Sequence, residues 1–364
     1  MNNKRRWYIV IPVLILLGFL AWYFSNILIY ILVATVLSLI GRRLVRLLDR
    51  IRIGRFQFPH TLSALITLLV IFGAIGGIFA LVVPMLINQA AELSNIDTQA
   101  IVDTYRPLLA EWDQYLIEHG MIEGDQSLET MIAEKVSEIV GKVNVSDILG
   151  SLIDVTGSVF WAVFAIGFIT FFFLKNERML LNGIMLFTPL DLQTEIKHVY
   201  IKTIRLLSRY FTGLLLDLTI VISLITIGMW AFGMDNALMI GIFAGMMNVV
   251  PYIGPLIGAG IALVIGLTSN MEPGVLENLL PMVAKILGVL VAVNLLDALL
   301  IQPTIYSNRV KAHPLEIFLV ILISGSAAGI VGMILAIPTY TVLRIIGKEF
   351  FSKWRFIRKI TEKI

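Results

Sequence analysis

Long apolar stretches, separated by short polar segments, dominate this sequence. A helix needs about 20 apolar residues to cross a bilayer core about 30 Å thick. With 58% hydrophobic and only 15% charged residues, a soluble fold could not cover so much apolar surface. Six uninterrupted stretches therefore predict transmembrane helices. They are Trp7–Phe24, Ile27–Ile40, Leu62–Ile87, Ser151–Leu174, Tyr210–Phe232 and Leu279–Ile301.

Two further apolar stretches, Ala237–Thr268 and Pro314–Leu343, are interrupted by helix breakers. A straight helix of about 30 residues would measure about 45 Å, which exceeds the thickness of the bilayer core. The first stretch contains Pro251 and Pro255, and prolines remove backbone donors and clash with the preceding turn. The second contains the glycine- and serine-rich segment 324–329. Each stretch is either a kinked crossing or a re-entrant hairpin.

The charges of the loops predict the orientation. Segment 41–59 holds six arginines against one aspartate, segment 175–209 six basic against three acidic residues, and the tail 344–364 seven basic against two acidic residues. Cytoplasmic loops carry an excess of lysine and arginine, so these segments and the amino terminus are expected in the cytoplasm. Segment 88–150 holds twelve acidic against three basic residues, and its apolar residues recur at helical spacing. It predicts a small helical extracytoplasmic domain.

Two short loops favour hairpins over full crossings. Loop 269–278 has two glutamates and no base, whereas loop 302–313 has Arg309 and Lys311 and no acid. Only re-entrant hairpins place the first loop outside and the second inside. The predicted fold is an all-α integral membrane protein with six full transmembrane helices, two re-entrant helical hairpins and the extracytoplasmic domain. Eight crossings are the alternative.

This topology predicts an inverted repeat, with one half at 210–268 and the other at 279–343. Interrupted segments at matching positions of inverted repeats mark the midplane substrate sites of secondary transporters. The predicted organisation is 1–87 for transmembrane helices one to three, 88–150 for the extracytoplasmic domain, 151–345 for the transport core, and 346–364 for a basic amphipathic cytoplasmic tail.

Asp217 and Asp297 are the carboxylates that lie deepest in the predicted spans, one in each half of the repeat. Charged groups at this depth are costly, so they are candidates for transport or proton coupling. The alternative is a buried interhelical hydrogen bond, for example with Asn294. The candidate substrate- or ion-binding residues are Asp217, Asn248, Pro251, Tyr252, Gly254, Pro255, Asn294, Asp297 and Gln302, and the second hairpin is expected to break at Gly325, Ser326 and Gly329. The polar candidates near the breaks either bind a solute or satisfy freed backbone groups.

The sequence lacks the residues that several classes of function require. The sequence has no cysteine, and its four histidines never pair at metal-ligand spacing, so neither a metal site nor a catalytic site is predicted. Phosphate-binding and dinucleotide fingerprints are absent. The basic residues flank spans, which is the pattern of topology rather than of nucleic-acid binding. No cofactor is expected beyond a coupling proton or sodium ion, and the expected partners are a small polar solute or monovalent cation and the lipid bilayer.

The segment Asn248–Gly258, with its Pro-Tyr-Ile-Gly-Pro core, resembles the autoinducer-2 exporter family of bacterial permeases. The similarity extends to Gln302-Pro303, His313-Pro314, Gly332–Pro338 and Lys175–Arg178. The resemblance implies an inner-membrane secondary transporter with cytoplasmic termini, which exports an autoinducer-2-like molecule coupled to an ion gradient. Small residues spaced four apart, such as Gly73 and Gly77, favour a homo-oligomer, for which the resemblance gives a pentamer as one expectation. A Na⁺(Li⁺)/H⁺ antiporter and a channel are the alternatives.

Overall fold

The computed structural model describes residue 19 and residues 23–53, 56–94, 156–269, 276–306 and 313–350. Most of the first predicted span, the extracytoplasmic domain beyond residue 94 and the tail beyond residue 350 lie outside the described residues. The helices are α1 (Ser25–Leu48), α2 (His60–Ser94), α3 (Thr156–Lys175), α4 (Met179–Leu186), a 3₁₀ turn (Leu190–Leu192), α5 (Gln193–Ala231), α6 (Ala237–Met247), α7 (Ile253–Ser269), α8 (Leu276–Leu296), a π-helical turn (Asp297–Ile301), α9 (Gln302–Tyr306) and α10 (Pro314–Phe350). Strands β1 (Arg52–Ile53) and β2 (Phe56–Gln57) form a short antiparallel pair.

The described chain is helical apart from this β pair, as predicted. By length and composition alone, five helical segments could cross a membrane: Ser25–Leu48, His60–Gln89, Leu190–Ala231, Leu280–Ile305 and Leu315–Phe350. The last of these is interrupted at Ala328 and Gly329. A sixth arises if Val159–Lys175 and Met179–Leu186, which meet at a 93° bend, form one broken span. The chain is therefore a multi-pass helical membrane protein. The number of crossings remains a prediction.

The chain divides into two compact units. The first holds the described parts of 1–76, 155–212 and 341–363. In this unit α1 packs on α3, and the contact is tight at Gly41, where an added Cβ would lie 3.0 Å from the Leu174 side chain. The Ser208 hydroxyl of α5 donates to the Leu39 carbonyl of α1 over 3.1 Å. The three basic segments with predicted cytoplasmic locations thus all contribute to one unit.

The second unit holds the described parts of 77–154 and 213–340. Its apolar core joins the C-terminal half of α5 to α6, α7 and α8. The largest fully buried side chains of this core are Met229, Ile240, Ile286 and Val221. Since α6 and α7 contribute residues such as Ile240, Ala262 and Ile265 to this core, the first broken stretch is packed inside the unit.

Helices α6 and α7 form the first hairpin, in which the chain reverses over residues 248–252. A Cβ on Gly254 would overlap the Met247 carbonyl oxygen, and one on Gly258 would lie 2.8 Å from the Ala244 carbonyl oxygen. Because the pairing runs from 254 with 247 to 258 with 244, the two arms are antiparallel. Glycine permits this contact because a side chain would separate the backbones.

The second hairpin lies within α10, where Ala328 and Gly329 have non-helical backbone angles and Gly329 has a φ of +59°. The Tyr340 hydroxyl donates to Glu316 Oε2 over 2.6 Å although the two residues are 24 apart in sequence. On a straight helix they would be about 36 Å apart, so the chain must reverse between them. Gly329 therefore lies at the reversal, whereas Gly325 and Ser326 lie in the helix before it.

Candidate functional site

Asp297 occupies the point where α8 changes from α-helical to π-helical winding. Its side chain is 2% exposed. Single π-helical turns inside helices are rare and concentrate at functional sites. The wider turn brings Gln302, five residues further along, onto the same side of the helix as Asp297.

Two amides hold one oxygen of the Asp297 carboxylate. Asn248 Nδ2 donates to Oδ2 over 3.1 Å, and Gln302 Nε2 donates to the same oxygen over 2.8 Å. The second oxygen, Oδ1, is buried and has no hydrogen-bond partner among the described residues. Asn248 is half-buried and Gln302 is exposed, so the carboxylate lies one side chain below the surface of its unit.

The turn of the first hairpin positions Asn248, which ends α6. The amides of Asn248, Val249 and Val250 donate to the carbonyls of Gly245, Met246 and Met247, and these bonds tighten the end of the helix. Tyr252, two residues later, has a φ of +67°. A side chain in this left-handed region costs about 1–3 kcal/mol and is maintained only where the surrounding packing requires it. The proline- and glycine-rich core thus presents Asn248 to the end of α8.

The hairpin turn also packs against the second hairpin. Val250 is buried in one cluster with Ile321 and Ala336. The rings of Tyr252 and Phe318 meet edge to face with centroids 6.2 Å apart. The turn at Asn248–Tyr252 therefore touches both the Asp297 cluster and the arms of the second hairpin.

The structure brings together three of the candidate residues, Asn248, Asp297 and Gln302. Asp297 pairs with Asn248 and Gln302 rather than with Asn294, which is half-buried one turn earlier on α8. Asp217 is 4% exposed on α5. Pro251 is in the turn of the first hairpin, while Gly254 and Pro255 open α7.

Sequence reasoning missed two polar groups of this unit. One is the hydrogen bond from Tyr340 to Glu316, which links the two arms of the second hairpin at its open end. The other joins the open end of the first hairpin to α2. Gln89 donates to Thr268 over 2.7 Å and accepts from Ser269 over 3.3 Å, and Asn236 donates to Ser269 over 2.9 Å. A lone glutamine at the end of an apolar stretch was the signal available for the second group.

The described part of the chain has long apolar helices, two helical hairpins and a buried polar cluster at the turn of one hairpin. This is the architecture of a multi-pass membrane permease. Residues 9–352 match the model of the AI-2E family transporters, and the chain belongs to that family. It is 26% identical to "Putative transport protein YueF" of Bacillus subtilis, over 88% of this chain and 84% of that protein. It is 29% identical to "Putative transport protein YrrI" of the same organism, over 80% and 79% of the two chains. It is 24% identical to "Putative transport protein MT0215" of Mycobacterium tuberculosis, over 77% and 72%.

Proposed function

We propose that this permease is a secondary transporter that exports a small polar solute, and that the coupling proton or sodium ion binds Asp297. The observation that carries the proposal is the Asp297 carboxylate, 2% exposed, whose Oδ1 has no partner in the described part of the chain. Its two hydrogen-bond donors are neutral amides, which do not balance a negative charge. Burying an unbalanced charge is costly, and a ligand that supplies positive charge at Oδ1 would offset that cost.

Binding at Oδ1 would be communicated to the first hairpin through Asn248. A hydrogen bond to a charged carboxylate is about twice as strong as one to a neutral group. Neutralising Asp297 would weaken the 3.1 Å bond from Asn248 and loosen the hairpin turn. Because the same turn packs on Ile321 and Phe318 of the second hairpin, the ion would bias both hairpins at once. Coupled transport requires an element whose conformational equilibrium both the ion and the solute change.

We further propose that the hairpins enter the membrane from opposite faces. The turn of the first hairpin packs against both arms of the second, because Val250 shares a buried cluster with Ile321 and Ala336. The opposite directions of entry are supported by the charges of loops 269–278 and 302–313. The arms α6 and α7 have 11 and 17 residues, about 16 and 26 Å, and are shorter than the bilayer core of about 30 Å.

Cysteine labelling tests this topology, since the natural sequence has no cysteine. In intact cells the variant Glu272→Cys should react with an impermeant thiol reagent, whereas Asn308→Cys should react only after the cells are opened. The expected order follows from the loop charges, which place 269–278 outside and 302–313 inside. The reverse pattern would exclude re-entrant hairpins and leave eight crossings.

On the basis of the family resemblance, we propose an autoinducer-2-like sugar derivative as the solute. Its hydroxyl groups could bond to Asn248 and Gln302, which offer both donors and acceptors. Exchange of Na⁺ or Li⁺ for H⁺ is a second candidate, because a carboxylate oxygen is a suitable ligand for a hard cation and Oδ1 has no other partner among the described residues. In that case no organic solute would be needed.

Flux into proteoliposomes tests the proposed function. Purified protein should accumulate labelled autoinducer-2-like solute against its concentration gradient only when a proton or sodium gradient is imposed, and an ionophore should abolish the accumulation. Sodium flux against a proton gradient without added solute would instead support the antiporter. Flux that only follows the solute gradient, without saturation, would identify a channel and contradict both forms of the proposal.

A further inference from the structure

The bend between α3 and α4 is a polar elbow in the first unit. Helix α3 ends at Lys175, and α4 leaves it at 93° after three residues. Helix α4 begins without a side-chain cap. An uncapped helix start leaves amide N–H groups that favour a negative charge. The exposed cations Lys175 and Arg178 flank this start, and Glu177 is the acid between them.

Arg42 of α1 lies beneath the elbow. It is 7% exposed, and its Nη2 reaches the Glu177 carbonyl oxygen at 3.4 Å. Its Nε has no hydrogen-bond partner within the described residues, and no carboxylate there forms an ion pair with it. Buried charges are normally paired. The Arg42 guanidinium and the amides at the start of α4 would therefore both be stabilised by one anion bound between them.

The end of α4 and the turn that follows it expose large apolar side chains. Leu186, Phe187 and Leu190 are 83%, 91% and 84% exposed. Helix α4 itself, Met179–Leu186, carries no charged residue. A short apolar helix perpendicular to a spanning helix, with cations at one end, has the form of an interfacial helix on an anionic membrane surface. A site for an anion beside an exposed apolar surface matches a molecule that has both a charged headgroup and acyl chains.

We propose that this elbow binds an anionic phospholipid. Since the Met179 amide already donates to the Asn176 carbonyl oxygen over 3.0 Å, the phosphate would lie between the Arg42 guanidinium and the amides that follow Met179 in α4. The exposed Lys175 and Arg178 side chains would contact the headgroup. The acyl chains of the lipid would cover Leu186 and Phe187. The proposal concerns the first unit alone and does not depend on the transported solute.

Lipid retention measured by native mass spectrometry tests the site on the full chain. Delipidated protein should retain phosphatidylglycerol in preference to phosphatidylcholine. Arg42→Gln should reduce retention about tenfold or more, because a charge-assisted contact to phosphate is lost. Arg43→Gln is the matched control, since Arg43 is the exposed neighbour of Arg42 on α1. Equal retention of the two lipids, or equal losses in the two variants, would overturn the proposal.

Variants at two exposed positions test the same site if Arg42→Gln does not fold. Arg178→Gln should weaken retention of phosphatidylglycerol several-fold, and Phe187→Ser should do so without changing the binding of inorganic phosphate. Inorganic phosphate that displaces the lipid at equal concentration would show a phosphate site and contradict a lipid site. A change of oligomeric state in Phe187→Ser, with no lipid preference in the wild type, would assign the apolar face to a second copy of the chain.

Discussion

Asp297→Asn is expected to abolish gradient-driven flux in proteoliposomes while the protein still folds. Asparagine keeps the shape of the side chain and one oxygen for the amides of Asn248 and Gln302, which donate over 3.1 and 2.8 Å. It removes the charge that would attract a proton or cation to Oδ1. An interaction with a charged group contributes about 1.5–3 kcal/mol, so cation binding should weaken about 10–100-fold.

Asp217→Asn is the matched control for this experiment, because it makes the same change at a second buried carboxylate. Its effect on flux should be smaller, since Asp297 accepts a hydrogen bond from Asn248 in the hairpin turn. Glu316→Gln should also matter less. Circular dichroism and size-exclusion profiles should match the wild type for all three variants. Wild-type flux and ion dependence in Asp297→Asn would show this carboxylate to be structural.

Gly254→Ala is expected to open the first hairpin. The new methyl group would overlap the carbonyl oxygen of Met247, and its next contact is the Met247 carbonyl carbon at 2.7 Å, so both lie in backbone that cannot rotate away. Overpacking in a close contact costs about 1–3 kcal/mol. The separation of α6 from α7 would also move Asn248 away from Asp297. We therefore expect both a lower melting temperature and the loss of flux.

Gly260→Ala is the control in the same helix, because an added Cβ there would meet nothing within 4 Å. Alanine is better than glycine in a helix interior by about 0.5–1 kcal/mol, so this variant should be as stable as the wild type or slightly more stable. The two variants are compared by thermal melting and by flux. Equal melting temperatures would contradict the tight antiparallel packing of the hairpin.

The sequence was sufficient to predict the helical class, most spans and both broken stretches, for a physical reason. Membrane thickness sets the length of an apolar helix, and a cluster of prolines and glycines interrupts it. Single prolines do not do so everywhere, because Pro84, Pro281 and Pro338 lie inside helices. The break around Pro251 and the family resemblance both follow from local residues. Helix ends were less predictable. Helix α5 begins at Gln193, well before the predicted start at Tyr210, since its polar first half is also helical.

The contacts of the site could not be predicted from local sequence. An ideal helix places residues three or four apart on one face, so a pairing of Asp297 with Gln302 five residues away requires the π-helical turn. The Asn248–Asp297 bond and the Tyr340–Glu316 bond join residues that are 49 and 24 apart. Such pairings arise from the packing of the hairpins. The burial of Arg42 likewise depends on how α1 and α3 meet.

The most direct test of the central claim is the melting temperature of purified wild type and Asp297→Asn, measured across sodium concentration and pH. A ligand that binds only the folded protein raises its melting temperature with concentration. The wild type should be stabilised by sodium, or should respond to pH, in a way that Asp297→Asn lacks and Asp217→Asn keeps. If Asp297→Asn responds to sodium and pH as the wild type does, the ion does not bind at Asp297.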